Sequence, residues 1–368
     1  MQYAAANKIQ RQLGVKELRE LAENQAAVTV NGAVHVIRDM GDFSFVLVRL
    51  NCEVIQCVYE NSKANFDINL LQEESCARFS GVLHLEERAP HGFELLLTGV
   101  EILSSPAEPL GFPVNKYKLN LSMETELAAR PLALRNNGRR ARFKIQEGIV
   151  RGFRDFLHSQ DFTEIHTPKI GAASAEGGAN VFKMDYFGRK AFLAQSPQFY
   201  KQMMVAVYNR VFEAGPVFRA EKHNTTRHLN EYVSLDFEMG YIQSFTELMD
   251  METAMLQYVF RLLKSEYAAQ LELLKVELPN VDRIPAVRFR EAKELIAAEY
   301  GHKIKDPFDL EPEEEILIGR YFKEKYSSDF VFVTHYPSKK RPFYAMDDPE
   351  DLKYTLSFDL LFRGMEVT

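Results

Sequence analysis

Between the apolar runs Tyr208–Phe218 and Val233–Tyr241 the chain places Arg219, Glu221, His223, Arg227, His228 and Glu231. Two apolar runs on either side of a polar stretch fold as strand, loop and strand. Alternate residues of a strand share a face, so Arg219 and Glu221 are expected to point one way on the first strand. By the same parity Tyr232, Ser234, Asp236 and Glu238 share a face of the second. One face of the sheet is then charged. Such a face suits a nucleoside triphosphate: a guanidinium matches phosphate oxygens with two donors at once, a carboxylate accepts from the adenine amino group, and an aromatic ring stacks on the base. The duller account is a solvated hairpin with surface ion pairs.

The run Phe218-Arg219-Ala220-Glu221, then Arg227-His228-Leu229-Asn230-Glu231-Tyr232 and Leu235-Asp236-Phe237-Glu238, resembles motif 2 of the class II aminoacyl-tRNA synthetases, specifically the aspartyl-tRNA synthetases of archaeal and eukaryotic type. Gln195-Ser-Pro-Gln-Phe-Tyr-Lys-Gln202 is similar to the segment that carries aspartate specificity there, and Ser174–Phe182 resembles the mobile loop that closes over the amino acid. Three motifs in the family's order make the resemblance specific.

The resemblance implies an aspartate-tRNA ligase. L-aspartate is activated by ATP to aspartyl-adenylate and transferred to the 3′ end of tRNA(Asp), with tRNA(Asn) open as a second acceptor. Catalysis of that kind is positioning and charge neutralisation. By resemblance Arg219 grips the α-phosphate, Glu221 reads the adenine amino group, Tyr232 stacks on the ring and His228 approaches the γ-phosphate, with Arg227 and Leu229 completing the ATP site. Gln198 and Lys201, a helical turn apart, bind the substrate side chain, while Glu176 and Asp236 take its ammonium group. A lysine at a helix start is also commonly just solvated. Asp359 and Glu366 match the family's magnesium pair; their odd separation would put them on opposite faces of one regular strand, so Gly364 must mark a bend or the two must lie on neighbouring strands.

The expected fold class is α+β. The helical pattern Val15–Ala26 precedes five strand-like runs, Val28–Ile37, Phe43–Leu50, Val54–Tyr59, Phe79–Leu85 and Phe93–Leu103, which suggest a small β-barrel of OB-fold type. Residues 1–105 are read as this barrel with its helix, 106–135, rich in Pro and Gly, as a linker, and 136–368 as the catalytic domain. Under the resemblance the barrel binds the anticodon through Arg38, Phe45 and Gln56. Phe45 as barrel core, or Phe43 as the stacking ring, remain alternatives. Ala141–Gln160 reads as a helix and Phe162–Pro168 as a strand, corresponding to motif 1, which implies a homodimer formed around Pro168. Val181–Phe187 and Lys190–Ala194 flank an expected hairpin turn at Gly188-Arg189, and Phe289–Tyr300 and Glu311–Tyr326 look helical.

A net charge of −7 argues against a generic nucleic-acid coat, so tRNA contact must rest on local patches such as Arg135, Arg139, Arg140, Arg142, Lys144, Arg151 and Arg154. Cys52, Cys57 and Cys76 have neither paired spacing nor an even count and read as reduced. With no apolar leader and no apolar run of roughly 18 residues, a cytoplasmic location is expected. The family's glycine-rich motif 3 does not occur before Thr368, so the catalytic domain is expected to be C-terminally incomplete. An asparaginyl enzyme and an inactive tRNA-binding paralogue are the competing readings.

Overall fold

Strand alternation builds the first unit. In the computed structural model, which describes residues 11–51, 53–173, 181–222, 229–342 and 344–367, the chain divides into two units, Met1–Phe143 and Lys144–Thr368. Helix α1 (Val15–Ala22) precedes β1 (Ala27–Asp39), β2 (Phe43–Leu50), β3 (Glu53–Glu60), β4 (Cys76–Leu85) and β5 (Phe93–Ser104). These strands close into a barrel in the order β1-β2-β3-β5-β4, the OB-like barrel expected from the sequence. Inward residues Val46, Val48, Leu50, Ile55, Cys57, Phe79 and Leu95 fill it, and Leu18 of α1 packs into the same core. Their fully enclosed side chains each contribute roughly 1.5–3 kcal/mol of transfer free energy.

Helices α2 (Met123–Ala128), α3 (Arg130–Ala133) and α4 (Asn137–Ser159) follow, and the boundary between the units falls within α4. The second unit continues with β6 (Thr163–Glu164), β7 (Ile170–Gly171), β8 (Lys183–Tyr186), β9 (Arg189–Leu193), α5 (Gln198–Tyr208), β10 (Arg210–Phe218) and β11 (Glu231–Met239). Then come α6 (Thr246–Glu266), α7 (Ala268–Leu274), β12 (Ala286–Arg288), α8 (Phe289–Tyr300), α9 (Pro312–Tyr326), β13 (Phe330–Thr334), β14 (Asp347–Asp348), β15 (Asp351–Thr355), β16 (Phe358–Phe362) and β17 (Met365–Glu366).

One sheet runs β11-β10-β6 and another β12-β13-β16-β17. Helix α6, which the sequence reading did not single out, backs both. Its Met251, Met255 and Tyr258 join Phe153, Phe156 and Leu157 of α4 over Phe212, Leu235 and Phe237. Its Met249, Leu256 and Phe260 lie on Phe330, Phe332 and Leu360. Helix α4 approaches α6 closely because of Gly148, where a Cβ would lie 2.7 Å from Leu263 and 2.9 Å from Tyr267.

One turn and one strand differ from expectation. The β8–β9 turn is Phe187-Gly188, not Gly188-Arg189: Tyr186 pairs with Arg189, and both turn residues have positive φ, +52° and +74°, as a two-residue hairpin turn requires. The extended segment after α4 forms a strand over Thr163–Glu164 alone, parallel to Val211–Phe212.

Candidate active site

The polar face of the β10–β11 ribbon is the back face of an apolar layer. Phe212, Ala214, Leu235, Phe237 and Met239 turn toward α4 and α6, so Glu213, Ser234, Asp236 and Glu238 must turn the other way. The parity expected for Tyr232–Glu238 holds along the whole of β11. For Arg219 and Glu221 it does not apply, because β10 ends at Phe218 and the backbone turns. The Arg219 N–H donates to Asn230 O at 3.0 Å and the Glu221 N–H donates to Arg219 O at 2.8 Å. Arg219 nevertheless lies beside Tyr232, its guanidinium 5.6 Å from the ring centroid.

Helix α5 brings the amino-acid candidates to this face. Gln198 is buried at its first turn, and Lys201, one turn on, extends its ammonium to Asp236 at 3.3 Å and Glu238 at 3.6 Å. The Ser234 hydroxyl donates to Asp236 as well. Burial pushes the Glu238 carboxyl above the ordinary glutamate range and Asp236 adds to this, against the pull of Lys201. Opposite Asp236, Glu213 is buried and accepts from the Thr167 N–H at 2.8 Å, the Thr167 hydroxyl at 2.7 Å and Lys169 Nζ at 2.8 Å. The sequence carried a signal for Glu213, an acid in the middle of the apolar run Val211–Val217, but not for its partners.

Asp359 and Glu366 come together on neighbouring strands, one of the two arrangements their spacing allowed. Leu361 of β16 pairs with Glu366 of β17, so Asp359, two residues before Leu361, shares the face of Glu366. The reversal is Arg363-Gly364, both at positive φ. A side chain at Gly364 would also collide with α9, a Cβ there lying 2.6 Å from Ile316 Cα. Desolvation raises the Glu366 carboxyl to about 7, with Asp359 and Glu315 adding to the effect and Arg341 and Arg219 opposing it. Burial also raises Asp359, against the counter-pull of Arg341, whose Nη2 donates to it at 2.6 Å. The Arg341 guanidinium carbon lies over the Tyr336 ring, 3.8 Å from its centroid. Eighteen residues separate it from Asp359, so no local pattern announced it. Among the described residues no three acids, histidines or cysteines gather as a metal cluster. Two acids on one face, Asp359 buried and Glu366 exposed, still suit magnesium, which takes one or two carboxylates and completes its shell with phosphate and water.

Glu176, Arg227 and His228 lie outside the described residues; Leu229 is exposed just before β11. On the barrel, Arg38 pairs with Phe45 across β1–β2, and Leu47, two residues along from Phe45, pairs with Gln56 of β3. All three therefore share the outer face, where Phe45 meets Phe43 edge to face at 5.2 Å. Phe45 is thus not barrel core. The basic stretch is largely neutralised: Arg135 pairs with Glu74, Arg139 with Glu126, Lys144 with Glu147, Arg151 with Glu266 and Arg154 with Glu164. Counting charge along the segment finds only Glu147 among these acids, because the other four come from elsewhere in the chain.

The family described as tRNA synthetases class II (D, K and N) matches residues 122–368. The aspartate-tRNA(Asp/Asn) ligase of Deinococcus radiodurans is 42% identical over 357 residues, 95% of this chain and 80% of that protein. The aspartate-tRNA(Asp) ligase of Pyrococcus horikoshii is 37% identical over 352 residues, 94% of this chain and 80% of its own length. Among solved structures, the aspartyl-tRNA synthetase of Entamoeba histolytica superposes with a TM-score of 0.82 at 28% identity, covering 97% of this chain and 77% of that one. A matching family over most of the chain, relatives of this identity and a site built from two sheets agree: the chain belongs to the class II aminoacyl-tRNA synthetases, in the group specific for aspartate, lysine and asparagine.

Proposed function

We propose that the chain is an aspartate-tRNA ligase. The observation that carries this reading is Lys201, a largely buried ammonium held between Asp236 and Glu238 on the same ribbon whose far end places Arg219 beside Tyr232. A cation in that position recognises an anionic side chain, which aspartate has and asparagine lacks.

In this reading the aspartate α-carboxylate attacks the α-phosphorus of ATP in line and pyrophosphate leaves. The terminal adenosine of tRNA then takes the aspartyl group from the adenylate, releasing AMP. Arg219 neutralises charge on the α-phosphate, Tyr232 carries the adenine, and Glu221 reads its amino group. Gln198 and Lys201 hold the substrate side chain and Asp236 its ammonium group. His228, Arg227, Leu229 and Glu176 join these by resemblance. Asp359 and Glu366 would hold magnesium, which supplies charge neutralisation for the departing pyrophosphate. On the barrel, Phe45 stacks on an anticodon base while Arg38 and Gln56 contact its neighbours or edge.

Homodimerisation around Pro168 finds support in nearby exposed apolar residues. Ile170 is exposed, and α5 turns Phe199, Met203 and Val207, spaced four apart, outward together with Tyr208. The described residues contain no helix long and apolar enough to cross a membrane, and we place the enzyme in the cytoplasm.

The test is aspartate-dependent exchange of pyrophosphate into ATP, with asparagine as control. Exchange with aspartate alone is expected. Exchange with asparagine alone would favour the asparaginyl enzyme, and no exchange by folded protein would favour a tRNA-binding paralogue.

A further inference from the structure

The pocket around Lys201 has more acid than base. Glu213, Asp236 and Glu238 face Lys169 and Lys201, an excess of one carboxylate. Glu213 is fully engaged, accepting from the Thr167 N–H, the Thr167 hydroxyl and Lys169. Asp236 is also engaged, since Ser234 donates to it and Lys201 is nearer to it, 3.3 Å against 3.6 Å for Glu238. Glu238 is left with Lys201 as its one partner among the described residues, at the longer distance. Its strand neighbour on β10 is Val211, which is buried and apolar and offers no replacement donor.

Bound aspartate brings its ammonium group to Asp236 and its side-chain carboxylate to Lys201, where Glu238 already sits. Glu238 and the incoming carboxylate then compete for one ammonium in a largely buried site. One must lose either its contact or its charge, and Glu238 holds the weakest contact. We propose that Glu238 is a positioning residue that holds Lys201 before substrate arrives, then yields it to the side-chain carboxylate of aspartate and takes up a proton from solvent. The proton adds to a Glu238 carboxylate oxygen; no bond in the substrate changes. This rests on the aspartate reading of the pocket.

The direction of titration agrees. Burial and Asp236 already raise the Glu238 carboxyl, and Lys201 is what opposes them. Sharing Lys201 with a new anion weakens the opposing pull and adds repulsion, so the carboxyl rises further and protons are bound. Aspartate affinity should therefore fall with rising pH, approaching about tenfold per pH unit where uptake nears one proton. Asparagine, with a neutral amide, should bind without proton uptake.

Titration calorimetry of the full chain with L-aspartate, in buffers of different ionisation enthalpy at one pH, counts the protons directly. Uptake is expected with wild type, none with Glu238→Gln, and none with asparagine on wild type. In Glu238→Gln, aspartate affinity should also lose its pH dependence. Wild type that binds aspartate without proton uptake, or Glu238→Gln that retains it, overturns the proposal while leaving the ligase reading intact. Wild type that binds asparagine but not aspartate overturns both. The wild-type proton count needs no variant to fold.

Discussion

Two ion clusters, one in each unit, combine opposite charges in inverted proportion. In the barrel unit Glu74 receives Arg49 through both oxygens, at 2.7 and 2.8 Å, and Arg135 at 3.2 Å, so two cations serve one carboxylate. In the catalytic unit Asp236 and Glu238 share Lys201, so two carboxylates press on one cation. The consequence appears in the acids. Burial would raise Glu74, yet the two guanidinium groups outweigh it and hold the carboxyl below its ordinary value. Burial also raises Glu238, and there the single ammonium does not outweigh it. A carboxylate with surplus cations is closed to further chemistry, whereas a cation among surplus carboxylates can exchange one anion for another. The first cluster is a lock and the second a binding site.

The largest effect should come from breaking the lock. Arg49→Ala leaves the buried Glu74 carboxylate with only the partly exposed Arg135 and should destabilise the barrel unit by about 3–5 kcal/mol, read from its denaturant unfolding transition. Replacing Arg49 and Glu74 together with apolar residues of similar size should recover most of that loss. Lys201→Ala should do the opposite kind of damage. Its kcat/KM for aspartate in pyrophosphate exchange should fall about a hundredfold or more, with a smaller loss of stability than Arg49→Ala because Asp236 and Glu238 retain some solvent contact. If Arg49→Ala spared stability while Lys201→Ala unfolded the second unit, the contrast between lock and site would be wrong.

A third prediction sets the two units apart by activity rather than stability. Phe45→Ala should weaken tRNA binding by about 1–3 kcal/mol, the worth of one stacked base, and leave aspartate-dependent exchange unaltered. Filter binding of tRNA alongside the exchange assay checks both halves. An equal loss in the two assays would mean that Phe45 supports the fold rather than the base.

What the sequence disclosed and what it hid follow from the range of the interactions involved. Alternation is local, so the parity of Tyr232 to Glu238 and the five barrel strands could be read directly. The spacing of Asp359 and Glu366 even demanded a reversal, which Arg363-Gly364 provides. Helix α6 was legible in principle, since Met249, Val259, Leu262 and Leu263 recur at helical spacing, but no motif drew attention to it. Side-chain partners were not legible. Nothing near Asp359 in sequence points to Arg341, nothing near Glu213 points to Lys169, and the apparent basic patch dissolves once Glu126, Glu164 and Glu266 fold against it. Whether Phe45 faces in or out required the barrel's closure, because both faces of β2 are apolar enough to be buried.

The smallest effect tests the lock from its weaker side. Arg135 is 43% exposed at its side chain, so Arg135→Ala should cost no more than about 1 kcal/mol near neutral pH. Its signature should lie in acid. A carboxyl held below its ordinary value contributes stability that is complete above the unfolded glutamate range and is lost as pH falls through the folded value. Without Arg135 the counter-pull on Glu74 comes from Arg49 alone, burial is opposed less strongly, and the folded value moves upward. Loss of stability should then begin at the same pH in both proteins but finish at a higher pH, and be smaller in total, without Arg135, measured by unfolding free energy between about pH 3 and 7. If both proteins lose stability over the same range, Arg135 is a bystander and Arg49 alone closes the lock. Glu74 would then have one cation for its one carboxylate, and the surplus that distinguishes it from the Lys201 pocket would shrink to the two parallel hydrogen bonds of a single guanidinium.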